Sequence, residues 1–263
     1  MGIAAYERVA RARDSGRPNA RDYIGALLTD FFEIRGDRRY ADDRAIVCGV
    51  GRFFGTPVTV AGHVKGHTLQ ENIDCNFGMP GPEGYRKWQR AMAQAEKFGR
   101  PVITFVDTPG AYPGKEAEER GQGEAIARCL FQMSALQVPI VCVVTGEGGS
   151  GGALALGVAD RLLMLSNAVY SVLSPEGFAS ILWKDSSRAQ EACGVMKLTA
   201  QDLLSFGVAD RIINEPAGGA GKNPKLTMAR VKKALCQELE ELMKLPAKQH
   251  VENRYLKYRS IGL

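Results

Sequence analysis

The chain has 263 residues, 45% apolar and 24% charged, which suits a globular protein with a sizeable core, and its net charge of +5 is too mild and scattered for a nucleic-acid binder. No run approaches the roughly 18 apolar residues of a membrane span, and residues 1–13 lack the apolar core of a signal peptide. The six cysteines contain no CxxC pair, so the expectation is reduced thiols, a cytoplasmic location and no metal.

Residues 1–13 are predicted to be helical, with Ile3, Tyr6, Val9 and Ala10 on one face. A polar break containing Gly16 and Pro18 separates them from a second helix over about 20–32, carrying Tyr23, Leu27, Leu28 and Phe31. A charged loop over 36–43 leads to two apolar runs, 45–54 and 57–64, which read as a hairpin around Gly55-Thr56. No period is visible over 65–81, which is expected to be loop. A helix then starts at Pro82 and stops at Gly99 before Pro101. A buried strand over 102–106 runs into Asp107-Thr108-Pro109-Gly110-Ala111-Tyr112-Pro113-Gly114, a rigid loop. A helix over about 117–136 places Ile126, Leu130 and Met133 inward, and a strand over 138–144 follows. Short strands are predicted over 161–165 and 168–173, and Ser174-Pro175-Glu176 opens a helix to about 184. Residues 215–224 read as an exposed connection. The last helix, about 225–244, carries Val231, Leu235, Leu239 and Leu242 on one stripe and precedes a charged tail. Strands alternating with helices argue an α/β fold. The chain reads as a single domain over 1–263, with a helical N-terminal extension over about 1–35 and a C-terminal helix over about 225–260.

The chain is organised around Thr145-Gly146-Glu147-Gly148-Gly149-Ser150-Gly151-Gly152-Ala153-Leu154-Ala155-Leu156-Gly157. An apolar strand enters this stretch and an Ala/Leu-rich helix leaves it. A strand, a glycine turn and a helix present backbone N–H groups at a helix N-terminus, where negative charge is stabilised. Five glycines between 146 and 152 cost conformational entropy, and the expectation is that a ligand approaches the backbone there.

Four formal motifs overlap these segments. Gly146 to Gly151 fits GxGxxG, but the next strand does not end in the acidic residue a dinucleotide site needs. Gly148-Gly149-Ser150-Gly151-Gly152 fits GxSxG, yet the only histidines are His63, His67 and His250, the last in the polar tail, so Ser150 reads as a small turn residue. Asp107-Thr108-Pro109-Gly110 fits DxxG, with no phosphate-binding GxxxxGK[ST] anywhere. Glu176 either complements a helix dipole or serves as an acid/base, and the residues alone do not choose.

Asn76-Phe77-Gly78-Met79-Pro80, Pro82 to Lys87, Phe105 to Gly114, Ala117 to Gln122, Gly146 to Ala155, and Tyr170 to Lys184 together resemble the carboxyltransferase alpha subunit of bacterial-type acetyl-CoA carboxylase. The similarity spans roughly 20–260, and many members carry a longer helical N-terminal segment. The resemblance implies a crotonase-like fold of spiralling ββα units with peripheral helices. It implies transfer of a carboxyl group from carboxybiotin, carried by the biotin carboxyl carrier protein, to acetyl-CoA, giving malonyl-CoA for fatty acid synthesis. It also implies a carboxyltransferase beta subunit in an α2β2 assembly, with biotin carboxylase in the whole complex. By the family pattern the N–H groups of Gly151 and Gly152 face the biotin ureido carbonyl. Gly148, Gly149, Gly110, Ala111 and Tyr112 would complete the binding walls. The hydratases of the wider superfamily place one glutamate at the position of Ala155 and a second at Glu176, so Ala155 argues against a hydratase, while the main rival within the fold is a free-standing acyl-CoA hydratase, isomerase or thioesterase. A non-catalytic scaffold is the rival of another kind, and the intact glycine stretch speaks against it.

Overall fold

The computed structural model describes residues 3–262. Its sheet runs in the order β1 (Thr29–Glu33), β2 (Ile46–Phe53), β3 (Thr56–His63), β4 (Val102–Thr108), β5 (Ile140–Gly149), β6 (Arg161–Leu165) and β8 (Arg211–Ile213). The short β7 (Val169–Ser171) pairs with the far end of β5. β1, β2 and β3 are antiparallel, as the predicted hairpin requires, and the later pairings are parallel. β4 is buried along its whole length and β5 along nearly all of it, which is why they read as unbroken apolar runs rather than alternating ones. Helices α4 (Pro82–Lys97), α6 (Gln122–Ala135) and α7 (Ser150–Gly157) pack together on this sheet; α2 (Ala20–Leu27) and α11 (Pro224–Leu242) pack with each other and also on the sheet, α2 against β1 to β4 and α11 against β5 and β8.

Several elements differ from the sequence expectation. The second helix ends at Leu27, and Thr29–Glu33 becomes an edge strand instead. Phe31 covers Gly49 of β2, where a side chain would collide with its ring, so a tertiary contact overrides the helical period. The supposed loop over 65–81 contains α3 (Leu69–Asp74), started by a capping box between Thr68 and Glu71. The Thr-x-x-Glu signature for that helix was present in the sequence. The helix predicted over 117–136 is two, α5 (Lys115–Glu119) and α6, broken at Gly121 with φ +84°. Its buried face is Gln122, Ala125, Cys129 and Met133, with Ile126 and Leu130 at the margin. On α1 (Ala5–Ala12) Val9 and Ala12 are buried, whereas Tyr6 and Ala10 face outward.

The C-terminal stripe Val231, Leu235, Leu239 and Leu242 is buried as expected. The charged tail is not a tail: Ala247–Ser260 form α12, which buries His250 and Arg254. Residues 215–224 are not a wholly exposed connection either, because the Glu215 carboxylate is buried against Arg17 at 2.9 Å and Ala220 is fully buried. One large core runs through the sheet. A small second cluster of Val9, Ala12, Val169, Cys193 and Leu198 joins α1 to β7 and to α9 (Ala189–Met196).

Candidate functional site

The glycine stretch is the end of a strand followed by a helix. β5 continues through Gly149, and the chain turns into α7 at Ser150, whose φ of +57° is strained for a residue with a side chain. The first turn of α7 leaves the N–H groups of Ser150, Gly151 and Gly152 without carbonyl partners inside the helix. The other end is well satisfied: Trp88 Nε1 donates to the Ala155 carbonyl at 3.2 Å, Thr104 Oγ1 to Leu156 at 2.7 Å and the Tyr258 hydroxyl to Gly157 at 3.1 Å. α7 is therefore fixed from its C-terminal end, with its positive end free.

Packing within the chain also requires most of these glycines. A Cβ on Gly146 would run into the Asp107 carboxylate, on Gly148 into the Tyr170 ring, and on Gly149 into the Pro109 carbonyl. A Cβ on Gly152 would lie 2.6 Å from the Ala111 nitrogen and 3.0 Å from the Tyr85 hydroxyl. These four glycines let the 107–112 loop and Tyr170 close onto the turn. Gly151 differs: a Cβ there meets only Ile126, at an ordinary 3.5 Å, and the residue is half-buried. The two predicted walls thus form one packed unit, in which Gly110 and Ala111 face Gly149 and Gly152. Tyr112 is held by its backbone, its N–H donating to Pro80 at 3.0 Å and its carbonyl accepting from Gln122 at 2.9 Å.

Two hollows meet at this turn. An apolar cavity of about 300 Å³ is lined by Ser150, Gly151, Leu154, Tyr170, Val172 and Leu203. A narrow groove of about 30 Å³ lies between Arg13, Glu147 and Pro109 on one side and Ser171, Ser174 and Pro175 on the other. A larger groove of about 660 Å³ between α6 and α12 is lined by none of the turn's residues.

A chain of alternating charges borders the groove, and the sequence reading missed it. Arg13 pairs with Glu147 at 2.7 Å, and Lys65 pairs with Glu147 at 2.9 Å and with Asp107 at 2.7 Å. Asp107 also accepts the Glu147 N–H at 3.0 Å. Burial would raise the Glu147 carboxyl, but Lys65 and Arg13 outweigh it and hold it below its ordinary value. One signal was available in the sequence: an acid inside a buried glycine run requires a cation.

Glu176 and Ser150, the two side chains that the motifs single out, have defined surroundings. Glu176 is gripped by Arg13 at 2.7 and 3.2 Å, and that hydrogen-bonded contact pulls its carboxyl down to about 2, so it holds no proton to donate. Ser150 does occupy a strained strand-to-helix elbow, but no base reaches it. His63 is fully buried and held neutral by desolvation, with its value lowered to about 3. His67 pairs with Asp22 at 2.8 Å in a separate pocket, and His250 is buried 4.0 Å from Asp160. Among the described residues no group of three or more metal-ligating side chains converges.

A largely parallel sheet packed with helices, with the N-terminus of α7 at the carboxyl end of the central strand β5, is the architecture expected of a crotonase-like protein. The chain belongs to the acetyl co-enzyme A carboxylase carboxyltransferase-like family, whose pattern matches residues 2–262. It is 57% identical over 261 residues to the acetyl-coenzyme A carboxylase carboxyl transferase subunit alpha of Heliobacterium modesticaldum, covering 99% of this chain and 78% of that one. It is 56% identical over 257 residues to the same subunit of Clostridium botulinum strain Eklund 17B, covering 98% of this chain and 94% of the relative. Among solved structures, the transcarboxylase 12S hexameric core superposes with TM-score 0.70 at 21% identity over 88% of this chain, which spans 43% of that chain. A Pseudomonas malonate decarboxylase hetero-tetramer in complex with coenzyme A superposes with TM-score 0.66 at 18% identity, over 82% of this chain and 86% of that one. At these identities the superpositions establish the fold.

Proposed function

We propose that this chain supplies the carboxybiotin side of a carboxyltransferase that converts acetyl-CoA to malonyl-CoA, together with a beta subunit in an α2β2 assembly. The observation that carries the site assignment is the Gly151 N–H, at the free positive end of α7 and beside the apolar cavity. Carboxybiotin, borne by its carrier protein and charged by biotin carboxylase, supplies the carboxyl group and, after giving it up, an anionic ureido oxygen. The cavity fits such a group: its lining is mainly apolar, and a Cβ would meet no backbone at Gly151. Gly151 N–H donates toward the oxyanion, and Gly152 N–H is the neighbouring donor from the same turn. One aimed donor is typically worth about 10²–10³ in rate. Gly110, Ala111, Gly148 and Gly149 hold the turn in shape, and Tyr112 anchors the loop that abuts it. No proton-transferring side chain is required of this chain, which agrees with a salt-bridged Glu176 and a buried Ala155 at the two positions where the hydratases carry glutamates. No described helix is long and apolar enough to cross a membrane, and the buried thiols suit a reducing cytoplasm.

The test is malonyl-CoA-dependent carboxylation of free biotin by this chain reconstituted with its beta subunit. Gly151→Val should lower the rate by about 10² or more by covering the donor, while Ser150→Ala stays near wild type. An active Gly151→Val together with a dead Ser150→Ala would remove the oxyanion assignment. The chain alone should not hydrate crotonyl-CoA.

A further inference from the structure

Helix α8 (Pro175–Trp183) borders the narrow groove but is poorly anchored to it. It buries only Pro175 and Ala179, while Ile181 and Leu182 are 61% and 60% exposed. Its main packing is against α9 and the short 3-10 turn over 186–188, and α9 in turn rests on α1 through the small second core. A hairpin with so few buried contacts belongs to the least stable part of a fold. The side-chain tie between its first turn and the glycine turn is Arg13. That guanidinium spans the groove, with Nε on Glu147 at 2.7 Å and Nη1 and Nη2 on Glu176 at 2.7 and 3.2 Å. Glu147 cannot swing away with Arg13, because Lys65 holds its other oxygen at 2.9 Å.

We propose that Arg13 is a positioning residue that fixes α8 against the glycine turn and so sets the width of the groove that adjoins the Gly151 cavity at Ser171. Arg13 lines the groove without reaching the Gly151 cavity, so it acts on entry and orientation rather than on the reacting atoms. Arg13 makes three contacts from three nitrogens of one planar group, one to Glu147 and two to Glu176, and the single ammonium of a lysine cannot reproduce the paired contact to Glu176. The inference rests on the carboxyltransferase reading for its kinetic arm only.

The experiment uses this chain with its beta subunit and compares wild type, Arg13→Gln, Arg13→Lys, Glu176→Gln and the double variant Arg13→Gln/Glu176→Gln. Amide hydrogen exchange over residues 175–183 should speed up by about three- to tenfold in Arg13→Gln and in Glu176→Gln, with a smaller change in Arg13→Lys. The KM for free biotin should rise by a similar factor in both Gln variants while kcat stays close to wild type, and the double variant should add little to either single one. Unchanged exchange over 175–183 in Arg13→Gln would overturn the proposal. So would a fall in kcat at unchanged KM, or full additivity of the two Gln substitutions. A wild-type complex with no carboxyl transfer would fail the functional reading while leaving the exchange measurement to decide whether Arg13 holds α8.

Discussion

Gly152 lies against Ala111 so closely that a Cβ on Gly152 would stand 2.6 Å from the Ala111 nitrogen. Neither neighbour yields easily. Ala111 is followed by Tyr112, whose N–H donates to Pro80, and Gly152 lies in a helix tied down by Trp88, Thr104 and Tyr258. The glycine turn and the 107–112 loop therefore behave as one rigid body.

Gly152→Ala should consequently destabilise the protein by about 1–3 kcal/mol, as overpacking does. Gly151→Ala should leave stability near wild type, because its Cβ meets only Ile126 at 3.5 Å. Thermal unfolding of the two variants checks this. Equal melting temperatures would mean that the loop can retreat from the turn. The contrast also explains why valine at position 151, not 152, is the informative probe of the donor.

Much of this arrangement was legible in the sequence, and the rest was not for identifiable reasons. β4, β5, α4 and the stripe on α11 were visible because burial imposes a period or an unbroken apolar run. The turn into α7 was visible as a glycine cluster. The partner of each glycine was not, since Asp107, Pro109, Ala111 and Tyr170 lie far away in the chain. Arg13 and Lys65 looked like ordinary surface cations, because nothing local links them to Glu147. α3 is announced only by its capping signature, and α12, which falls within the helix expected to reach about 260, is a separate helix too polar for a periodic stripe and held by Arg254 instead.

That arginine supports a second prediction. The Arg254 guanidinium is 1% exposed, donates to Asp160 at 2.9 and 3.1 Å, and donates to the carbonyls of Met133 and Leu136 at 2.7 and 2.9 Å. Asp160 in turn accepts the Ile140 N–H at the start of β5 at 2.7 Å. Arg254→Met should cost about 3–5 kcal/mol, since it leaves a buried carboxylate without its cation. Urea unfolding is the measurement. A loss below about 1 kcal/mol, the range of an exposed pair, would show that α12 is dispensable to the core.

Thiol reactivity gives a third. Burial pushes the Cys48 and Cys129 thiols up to about 12 and the Cys142 thiol up to about 11, so thiolate is scarce at neutral pH. Cys236 is half-buried, and its Sγ donates to Glu240 at 3.2 Å, which also disfavours the thiolate. In the native protein a disulfide reagent at neutral pH should modify Cys236 first and slowly, with the remaining cysteines reacting only after denaturant is added. Rapid native modification of Cys48 or Cys142 would contradict the packed core drawn here.

The last prediction concerns acid stability and His63. Its ring is fully buried beside the backbone of Gly152 and Phe105, and neither ring nitrogen has a partner in hydrogen-bond geometry. Desolvation, together with the nearby Lys65 charge, lowers the folded value from the ordinary 6.5 to about 3. The unfolded chain therefore binds a proton below about pH 6.5 that the folded chain refuses until about pH 3. Where the unfolded state holds more protons, stability rises with pH, so this histidine subtracts stability as pH falls from 6.5 toward 3. Its share is at most about 1.4 kcal/mol per pH unit across that window. Glu176 acts in the same direction at lower pH, because its stabilising contact is lost as pH falls from 4.5 toward 2. The two are separable by substitution. His63→Leu removes the ionisable ring and should flatten the stability profile between pH 6.5 and 5.5, where Glu176 is largely ionised in both states. Chemical denaturation at pH 7, 6.5, 6 and 5.5, with wild type and His63→Leu compared at each, provides the readout. Parallel profiles for the two proteins would show that His63 is protonated or solvated in the folded state, and that the space beneath the first turn of α7 is not the dry interior described here.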